Sequence, residues 1–280
     1  MVTGNKGIFL NATQKISIVE VEQSTPEKYI LSINLRIDGL SFLIQNHKHE
    51  IVHMEYFEWL NVIDWGKTIV NTTSLIKNHD LLSLTFPKVK VFIQSPDNFL
   101  LPHNLYNEKG VVEIYNQYLG ISTHEVFNSK YNDSSFLIFG VHQDLVQTLN
   151  TKWNCSWDHC SKFYLSQSFS SASNGQELFL KFHQNYFEII AFNSKVLEAH
   201  NYFNYSSADE FIFNLLSFTK QIGMDVSSLK IHLSGKIIKT SNLFELVNKY
   251  YPNVLFEEDE NQTEYASFTP LINAANYENS

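Results

Sequence analysis

The chain has 280 residues, 44% of them hydrophobic and 18% charged, which is typical of a globular protein with ample material for a core. Its formal net charge of −9 and its single arginine, Arg36, argue against binding to nucleic acids or anionic membranes, which select basic surfaces. No apolar run approaches the length of a membrane span, and two cysteines cannot form a disulfide framework. We therefore expect a soluble, cytoplasmic protein with reduced thiols.

Residues 29–59 carry three short apolar runs separated by turn signals. Ile33, Leu35 and Ile37 alternate with polar residues, which is the pattern of a half-buried strand. Asp38-Gly39 then stands between two strand patterns, and this dipeptide favours a type I′ turn because both central residues need positive φ. The segment is predicted to form three antiparallel strands.

The next segment predicts one helix, one strand and a second helix. Apolar residues recur at intervals of three and four over 60–82, a strand pattern over 88–96 ends at a proline, and a short helix pattern covers 107–119. Residues 121–176 add two strand patterns and one helix pattern. The Ser-rich stretch 166–176 is predicted to be an exposed linker.

The second half repeats this order. Residues 177–205 contain three strand patterns with short turns, followed by a helix, a strand, a helix and a last short strand up to residue 256. Ser207 and Glu210 form a predicted capping box at the start of the first of these helices, and Gly223 is a natural stop.

Three short sequence similarities support a repeated unit. They pair EYFEW at 55–59 with NYFNY at 201–205, VKVFIQS at 89–95 with LKIHLSG at 229–235, and HNLYN at 103–107 with SNLFE at 241–245. We infer an internal duplication of a unit with the order βββαβα. The predicted divisions are an N-terminal extension at 1–28, a first lobe with inserted strands and helix at 29–176, a second lobe at 177–256, and a solvated acidic tail at 257–280.

This duplicated order resembles the actin-like ATPase (ribonuclease H-like) fold, whose two lobes face a cleft. The segment 229–256 is similar to the part of that fold where a strand ends in a glycine turn beside adenosine. More narrowly, the sequence LRIDGLSFLI at 35–44, the segment 229–235 and the aromatic strand ends resemble an uncharacterised bacterial family, domain of unknown function 3822. That family has no established activity, so the resemblance implies a fold.

The resemblance also implies one phosphate-binding hairpin in each lobe, presenting an acidic residue and glycine-rich backbone around a nucleotide and Mg²⁺. In the first hairpin, Asp38, Gly39 and Ser41 fit this expectation in part. In the second hairpin, the turn 183–185 has neither a glycine nor a carboxylate. On turn chemistry alone, a plain hairpin turn is the preferred interpretation of Asp38-Gly39.

In the adenosine segment, Ser234 and Gly235 stand in place of the usual glycine pair, and Lys236 follows. This turn also fits a plain strand-to-helix connection, for which glycine is the default residue. The chain contains no GxxxxGK[ST] and no GxGxxG motif. These six residues form the predicted nucleotide site only if the chain binds ATP and Mg²⁺.

Two other groups of residues carry side chains that can bind metal ions. His47, His49 and His53 would share one face of a continuous strand, and Cys155, His159 and Cys160 lie close together in the sequence. Solvated histidines are common at polar turns, and zinc sites with cysteine ligands usually need a second pair, so a structural interpretation is preferred for both groups. No Ser-His-Asp sequence motif is present, and the aromatic strand ends are interpreted as packing, with a partner surface as the alternative.

These observations predict a non-catalytic actin-like scaffold that binds a protein partner, with a degenerate nucleotide site, no catalytic residue, no metal and no cofactor. The missing second phosphate turn favours this hypothesis, because phosphoryl transfer depends on positioning and charge neutralisation. The alternative is a divergent ATP-binding protein or weak ATPase, with Asp38 near Mg²⁺ and Gly235 beside the base.

Overall fold

The computed structural model describes residues 12–62, 64–256 and 268–277. The chain divides into two compact units: unit 1 comprises Met1–Lys162 with Phe268–Ser280, and unit 2 comprises Phe163–Ser267. The division falls inside a helix rather than at the predicted lobe boundary after residue 176, and the end of the chain belongs to unit 1. Among the described residues, no helix has both the length and the apolarity needed to cross a lipid bilayer.

Unit 1 is built on a six-stranded sheet with the order β1-β4-β3-β2-β5-β9. Strands β2, β3 and β4 are antiparallel, as predicted, and β5 and β9 run parallel to β2. Its elements are β1 (Gln14–Ser17), β2 (Tyr29–Arg36), β3 (Gly39–Asn46), β4 (Ile51–Glu58), α1 (Trp65–Asn78), β5 (Lys88–Gln94), β6 (Asn98–Pro102), α2 (Val111–Leu119), β7 (His124–Asn132), β8 (Ser135–His142), α3 (Gln143–Lys152), β9 (Cys155–His159) and the start of α4 (Cys160–Ser171).

The period-two pattern of β2 separates two faces of this sheet. Leu31, Ile33 and Leu35 are fully buried in the main hydrophobic core, together with residues of α1 and α3. The intervening Ser32 and Asn34 are also buried, so the second face is covered as well. Burial on both faces is expected for a central strand of a sheet flanked by helices, and it corrects the half-buried strand that the alternation predicted.

The cover on the second face includes the C-terminal helix α7 (Thr269–Tyr277), which packs against β2 and β3. Phe268 and Leu271 are fully buried, and the Phe268 ring meets the Tyr56 ring edge-on with centroids 6.3 Å apart. The prediction of a solvated tail is therefore wrong for residues 268–277. Its spacing of apolar residues is helical, whereas the acidic residues that suggested solvation lie at 257–267, outside the described residues.

A three-stranded antiparallel sheet, β6-β8-β7, is inserted with α2 between β5 and α3. The predicted match between HNLYN and SNLFE is wrong for this reason. HNLYN follows β6 inside the insertion, whereas SNLFE begins a helix of the main sheet in unit 2. The helix of unit 1 that leads into the last parallel strand is α3, not α2.

Unit 2 is built on a five-stranded sheet with the order β12-β11-β10-β13-β14. Three antiparallel strands are again followed by parallel strands, which confirms the predicted order. Its elements are the remainder of α4, then β10 (Gln176–Phe182), β11 (Tyr186–Asn193), β12 (Val196–Asn204), α5 (Ala208–Gln221), β13 (Lys230–Gly235), α6 (Asn242–Tyr250) and β14 (Asn253–Phe256).

Helix α4 corrects the linker predicted for 166–176, because it continues to Ser171. Leu165 is fully buried, and Ser168 and Ala172 are almost fully buried, at the spacing of one helix face. The serines suggested a loop, but these small side chains also fit a helix that packs closely against its neighbours.

The start and stop of α5 confirm the prediction. The Ser207 hydroxyl accepts a hydrogen bond from the Glu210 backbone N–H at 3.1 Å, and the Glu210 carboxylate accepts the Ser206 backbone N–H at 2.8 Å. Gly223 follows the helix with φ of 70°, a conformation that favours glycine.

The other two sequence similarities fall at equivalent places in the two sheets. EYFEW ends β4 and NYFNY ends β12, and each of these is the outermost of the three antiparallel strands. VKVFIQS and LKIHLSG form β5 and β13, the first parallel neighbours of β2 and β10. Similar sequence therefore corresponds to similar position in the sheet.

Candidate functional site

The first predicted phosphate turn connects β2 to β3. Arg36 pairs with Gly39, so the two turn residues are Ile37 and Asp38 rather than Asp38 and Gly39. Neither Asp38 nor Gly39 has positive φ, so the predicted type I′ turn is wrong. Gly39 is required for another reason: a Cβ atom there would clash with the Phe57 carbonyl oxygen and the Arg36 guanidinium.

The guanidinium of Arg36 occupies the space beside this turn. Its Nε donates to Asp38 Oδ1 at 3.2 Å, its Nη1 donates to Ser41 Oγ at 3.3 Å, and its Nη2 donates to the Phe57 carbonyl at 3.1 Å. The guanidinium carbon lies 4.3 Å from the centre of the Tyr56 ring. Arg36, Asp38 and Ser41 are all buried. The two side chains predicted to face Mg²⁺ and phosphate therefore both contact an internal cation.

The predicted adenosine segment of unit 2 lies against its own hairpin. Gly235 ends β13 with φ of 82°, and a Cβ atom there would clash with the Phe182 carbonyl oxygen. The Lys236 backbone N–H donates to that same carbonyl at 2.8 Å, and its ammonium donates to Gln184 Oε1 at 3.2 Å. Ser234 Oγ donates to the Leu180 carbonyl at 3.5 Å. The structure thus brings Ser234, Gly235 and Lys236 beside the second hairpin turn.

That second turn contains His183, Gln184 and Asn185, and the nearest carboxylate is Glu188 on β11. Glu188 is buried and accepts hydrogen bonds from His200 Nε2 at 2.8 Å and from the Tyr202 hydroxyl at 3.1 Å. His183 Nε2 lies 3.8 Å from its other oxygen. Burial alone would raise the pKa of Glu188, but these donors hold it well below its usual value. This carboxylate is ionised, and His183, His200 and Tyr202, which surround it, all belong to unit 2.

A similar buried carboxylate, Glu55, lies on β4 of unit 1. It accepts hydrogen bonds from His53 Nε2 at 2.8 Å and from His79 Nε2 at 2.9 Å, and the Lys15 ammonium lies 2.9 Å away. Burial would raise its pKa, but these three donors lower it well below its usual value. The alternation of His53 and Glu55 along a strand could have indicated the contact, whereas His79 and Lys15 are too distant in sequence.

The histidines weighed as a metal group do not share one face. His47 and His49 are exposed in the turn before β4, where His49 has φ of 63°, and only His53 is buried. Strand geometry is interrupted at this turn, so the period-two argument does not apply across it.

The second weighed group lies at the end of β9 and the start of α4. His159 Nδ1 accepts the Ser161 backbone N–H at 3.2 Å, and Cys160 Sγ lies 3.5 Å from Asn34 Oδ1. Burial raises the pKa of the Cys155 thiol to about 12, so that thiol is unreactive at neutral pH. Across residues 12–62, 64–256 and 268–277, no group of three or more His, Cys, Asp or Glu side chains could hold a metal ion.

A further group of titratable side chains follows β5, and no sequence pattern indicates it. Burial raises the pKa of Asp97 from 3.8 to about 6. Its backbone carbonyl accepts the Gly140 N–H at 3.1 Å, and the nearby Tyr115 hydroxyl lies 2.9 Å from His124 Nδ1. Burial lowers the pKa of His124 to about 4, helped by the charge of His142. This group lies where the chain passes from β5 into the inserted sheet.

Comparison with solved structures shows which fold these two sheets form. A protein of unknown function with an actin-like ATPase fold from Bacteroides thetaiotaomicron superposes with a TM-score of 0.78 at 19% identity, over 91% of this chain and 99% of that chain. The PilM-PilN type IV pilus biogenesis complex gives a TM-score of 0.55 at 11% identity, over 88% and 98% of the two chains. The chain therefore has the actin-like ATPase fold, as its sequence predicted.

Sequence comparison defines the family. No curated protein sequence matches the chain significantly. A family model described as "Protein of unknown function (DUF3822)" matches residues 19–254, which is most of the chain and includes both of the main sheets apart from β1 and the end of β14. The chain thus belongs to the DUF3822 family of proteins of unknown function.

Proposed function

We propose that this protein is a scaffold of the actin-like fold that binds a protein partner, with a degenerate nucleotide site that is non-catalytic. The observation that carries this proposal is the contact between Arg36 and the first hairpin. The guanidinium engages Asp38 and Ser41, the two side chains of that hairpin that would otherwise be available to Mg²⁺ and phosphate.

Separating Asp38 from Arg36 so that it could bind Mg²⁺ would cost free energy. A carboxylate that holds Mg²⁺ must be free to accept a water ligand or the ion itself. Asp38 would have to leave Arg36, and a buried guanidinium would then lack its counter-charge. Breaking a buried ion pair by removing one partner costs about 3–5 kcal/mol, which bound Mg²⁺ and phosphate would have to offset. The hairpin therefore favours its internal ion pair over a bound nucleotide.

Unit 2 supports the same conclusion. Its hairpin turn offers His183, Gln184 and Asn185, without the glycine that would let phosphate approach backbone N–H groups closely. Glu188 is fixed by His200 and Tyr202. The Lys236 ammonium bonds Gln184 within the same unit.

Binding of a protein partner is the function that remains for such a scaffold. The PilM structure was solved as a complex with PilN, so a protein with this fold is known to act with a protein partner. We further propose that the two units descend from one duplicated unit, since their sheets share strand order and two similar sequences at equivalent positions, and that the protein is cytoplasmic and bacterial.

A weak ATP-binding protein is the second candidate. Gly235 favours it, because this residue keeps a left-handed conformation at the end of a parallel strand, where a base could approach the backbone. Under this alternative Asp38, Gly39 and Ser41 would contact Mg²⁺ and phosphate, and Ser234, Gly235 and Lys236 would contact the nucleoside.

Thermal unfolding with and without ATP and Mg²⁺ separates the two candidates. A ligand present at one hundred times its dissociation constant would stabilise the fold by about 2.7 kcal/mol, which gives an easily measured rise in melting temperature. We expect no rise. A rise that is lost in Lys236→Ala but kept in Lys239→Ala, an exposed lysine three residues further on, would support the ATP-binding alternative.

Partner binding is tested by quantitative cross-linking in cells that express the full chain. We expect one protein to be recovered in near-stoichiometric amount, and the recombinant form of that protein to bind the purified chain. If the cross-linked proteins change with expression level and none binds the purified chain, the scaffold proposal fails even when ATP has no effect.

A further inference from the structure

A cavity of about 440 Å³ lies in unit 1 beside β1. Its lining includes no residue of the two segments predicted to contact a nucleotide, 38–41 and 234–236. This volume is within the range of sites for small molecules. Most of the residues that line it are polar, and they include Lys15, Ser17, His53 and His79.

Three side chains at this cavity form a continuous hydrogen-bonded chain. Ser17 on β1 lies directly opposite His53 on β4, and Ser17 Oγ is 3.2 Å from His53 Nδ1. His53 Nε2 is in turn 2.8 Å from Glu55 Oε1. A nucleophile, a base and a carboxylate that orients the base are thus within hydrogen-bonding reach of one another, as in enzymes with an activated serine.

The charge on Glu55 determines the direction of each hydrogen bond. An ionised carboxylate only accepts, so the neutral form of His53 carries its proton on Nε2 and presents the lone pair of Nδ1 to Ser17. The Ser17 hydroxyl then donates to Nδ1. His79 Nε2 donates to the other carboxylate oxygen, while His79 Nδ1 accepts the Leu82 backbone N–H at 3.3 Å.

The carboxylate is held in place on all sides. Glu55 is 2% exposed and has His53, His79 and Lys15 as donors, whereas Ser17 is exposed and can be reached by a ligand in the cavity. The ammonium of Lys15 has further N–H groups beyond the one that bonds Glu55, and it lines the same cavity. It can therefore stabilise negative charge that develops on a carbonyl oxygen near Ser17.

We propose that Ser17 is a nucleophile activated by His53, and that it reacts with short acyl esters that fit this cavity. Ser17 Oγ forms a bond to the acyl carbon, its proton moves to His53 Nδ1, and the alcohol leaves with that proton as the ester C–O bond breaks. Water then attacks the acyl-serine with His53 again as the base, which releases the acid and restores Ser17. Glu55 orients the His53 imidazole and His79 holds the Glu55 carboxylate, so both act as positioning residues.

This inference does not rest on the proposed scaffold function. The cavity and the three residues all belong to unit 1, and neither a nucleotide nor a protein partner enters the chemistry. The protein could lack ATP binding and still carry this reactive serine.

The test uses the full chain and p-nitrophenyl acetate, with nitrophenolate release followed by stopped flow. We expect a burst of one equivalent of nitrophenolate and, by peptide mapping, an acetyl group on Ser17. Ser17→Ala should lose the burst, whereas Ser170→Ala, which removes an exposed hydroxyl from α4, should keep it. His53→Gln should slow the burst roughly 100-fold, the usual contribution of a general base.

A second variant covers the case in which His53→Gln does not fold. Ser17→Cys places a thiol next to Nδ1, and we expect iodoacetamide to alkylate it at least roughly tenfold faster at neutral pH than an unactivated exposed thiol, because a neighbouring base favours the thiolate. An acetyl group found on Lys15 instead of Ser17, a burst that persists in Ser17→Ala, or an ordinary alkylation rate for Ser17→Cys would each overturn the proposal.

Discussion

Arg36 Nε lies 3.2 Å from Asp38 Oδ1, and neither side chain is more than 6% exposed. This ion pair lies at the turn that the alternative, ATP-binding hypothesis assigns to Mg²⁺. Because Arg36 is the only arginine in the chain, no other residue can form an arginine–carboxylate ion pair. Its energetic role can be measured directly, and the first prediction concerns it.

We expect Arg36→Ala to reduce the free energy of unfolding by about 3–5 kcal/mol, because the buried Asp38 carboxylate would lose its guanidinium counter-charge. Urea denaturation at neutral pH measures the loss. The matched control is Lys28→Ala, which removes an exposed contact to Glu22 at 3.2 Å and should cost no more than about 1 kcal/mol. Equal losses in the two variants would show that the buried pair has no special weight.

Acid should weaken the fold through Glu55 and Glu188. The pKa of each carboxyl in the folded state lies below its ordinary value of 4.5, so its stabilising contribution is fully present above about pH 4.5 and is lost as the pH falls below that value. Glu55→Gln should therefore lower stability at neutral pH and flatten its dependence on pH in the acid range. The exposed Glu245→Gln is the control. Parallel pH profiles for the wild type and Glu55→Gln would contradict this prediction.

Asp97 should have the opposite pH dependence. Burial raises its pKa in the folded state to about 6, so its charged form opposes folding, and stability is lost as the pH rises from 3.8 through about 6. Asp97→Asn should raise the melting temperature near pH 8 and leave it almost unchanged near pH 4. A gain of the same size at both pH values would show that the effect does not come from the charge.

Gly235→Ala should be far more damaging than Gly120→Ala. Both glycines have left-handed φ, 82° and 69°, so alanine is strained at either position by about 1 kcal/mol. At Gly120 no atom lies within 4 Å of the added Cβ, whereas at Gly235 it would clash with the Phe182 carbonyl. We expect a loss of at least about 2 kcal/mol for Gly235→Ala in thermal unfolding. Similar losses would indicate that the hairpin moves aside without cost.

Local signals in the sequence predicted the elements whose ends are defined by neighbouring residues. Ser207, Glu210 and Gly223 determine where α5 begins and ends because each acts on backbone groups within one turn. The alternation along β2 predicted its core face for the same reason. Such features depend on nearest neighbours, which a single sequence contains.

The errors occurred where distant packing outweighs local preference. Asp38-Gly39 is typical of a type I′ turn, but at Gly39 the approach of Phe57 is what excludes a side chain. The serines of α4 suggested a loop, although Leu165 and Ser168 lie on its buried face. In both cases packing within the folded unit decides the conformation, and composition does not reveal that packing.

The candidate sites show the same division. The resemblance to the actin-like fold indicated the two hairpins and the Gly235 turn, and the structure brings Gly235 and Lys236 to the second hairpin. The resemblance could not indicate that Arg36 would form an ion pair with Asp38. The hydrogen bonds from Ser17 through His53 to Glu55 require the pairing of β1 with β4. The sequence patterns predict residues 1–28 only as an extension, so they do not indicate this pairing.

Strand β1 has one more consequence. It pairs with residues 53–56 of β4 and so covers the outer edge of that strand. Without β1, the backbone N–H and C=O groups at this edge could hydrogen-bond to a strand of another molecule. A shortened protein beginning after Ser17 would present that border to its neighbours. Such a fragment should cluster at concentrations where the longer chain stays dispersed, which light scattering would detect.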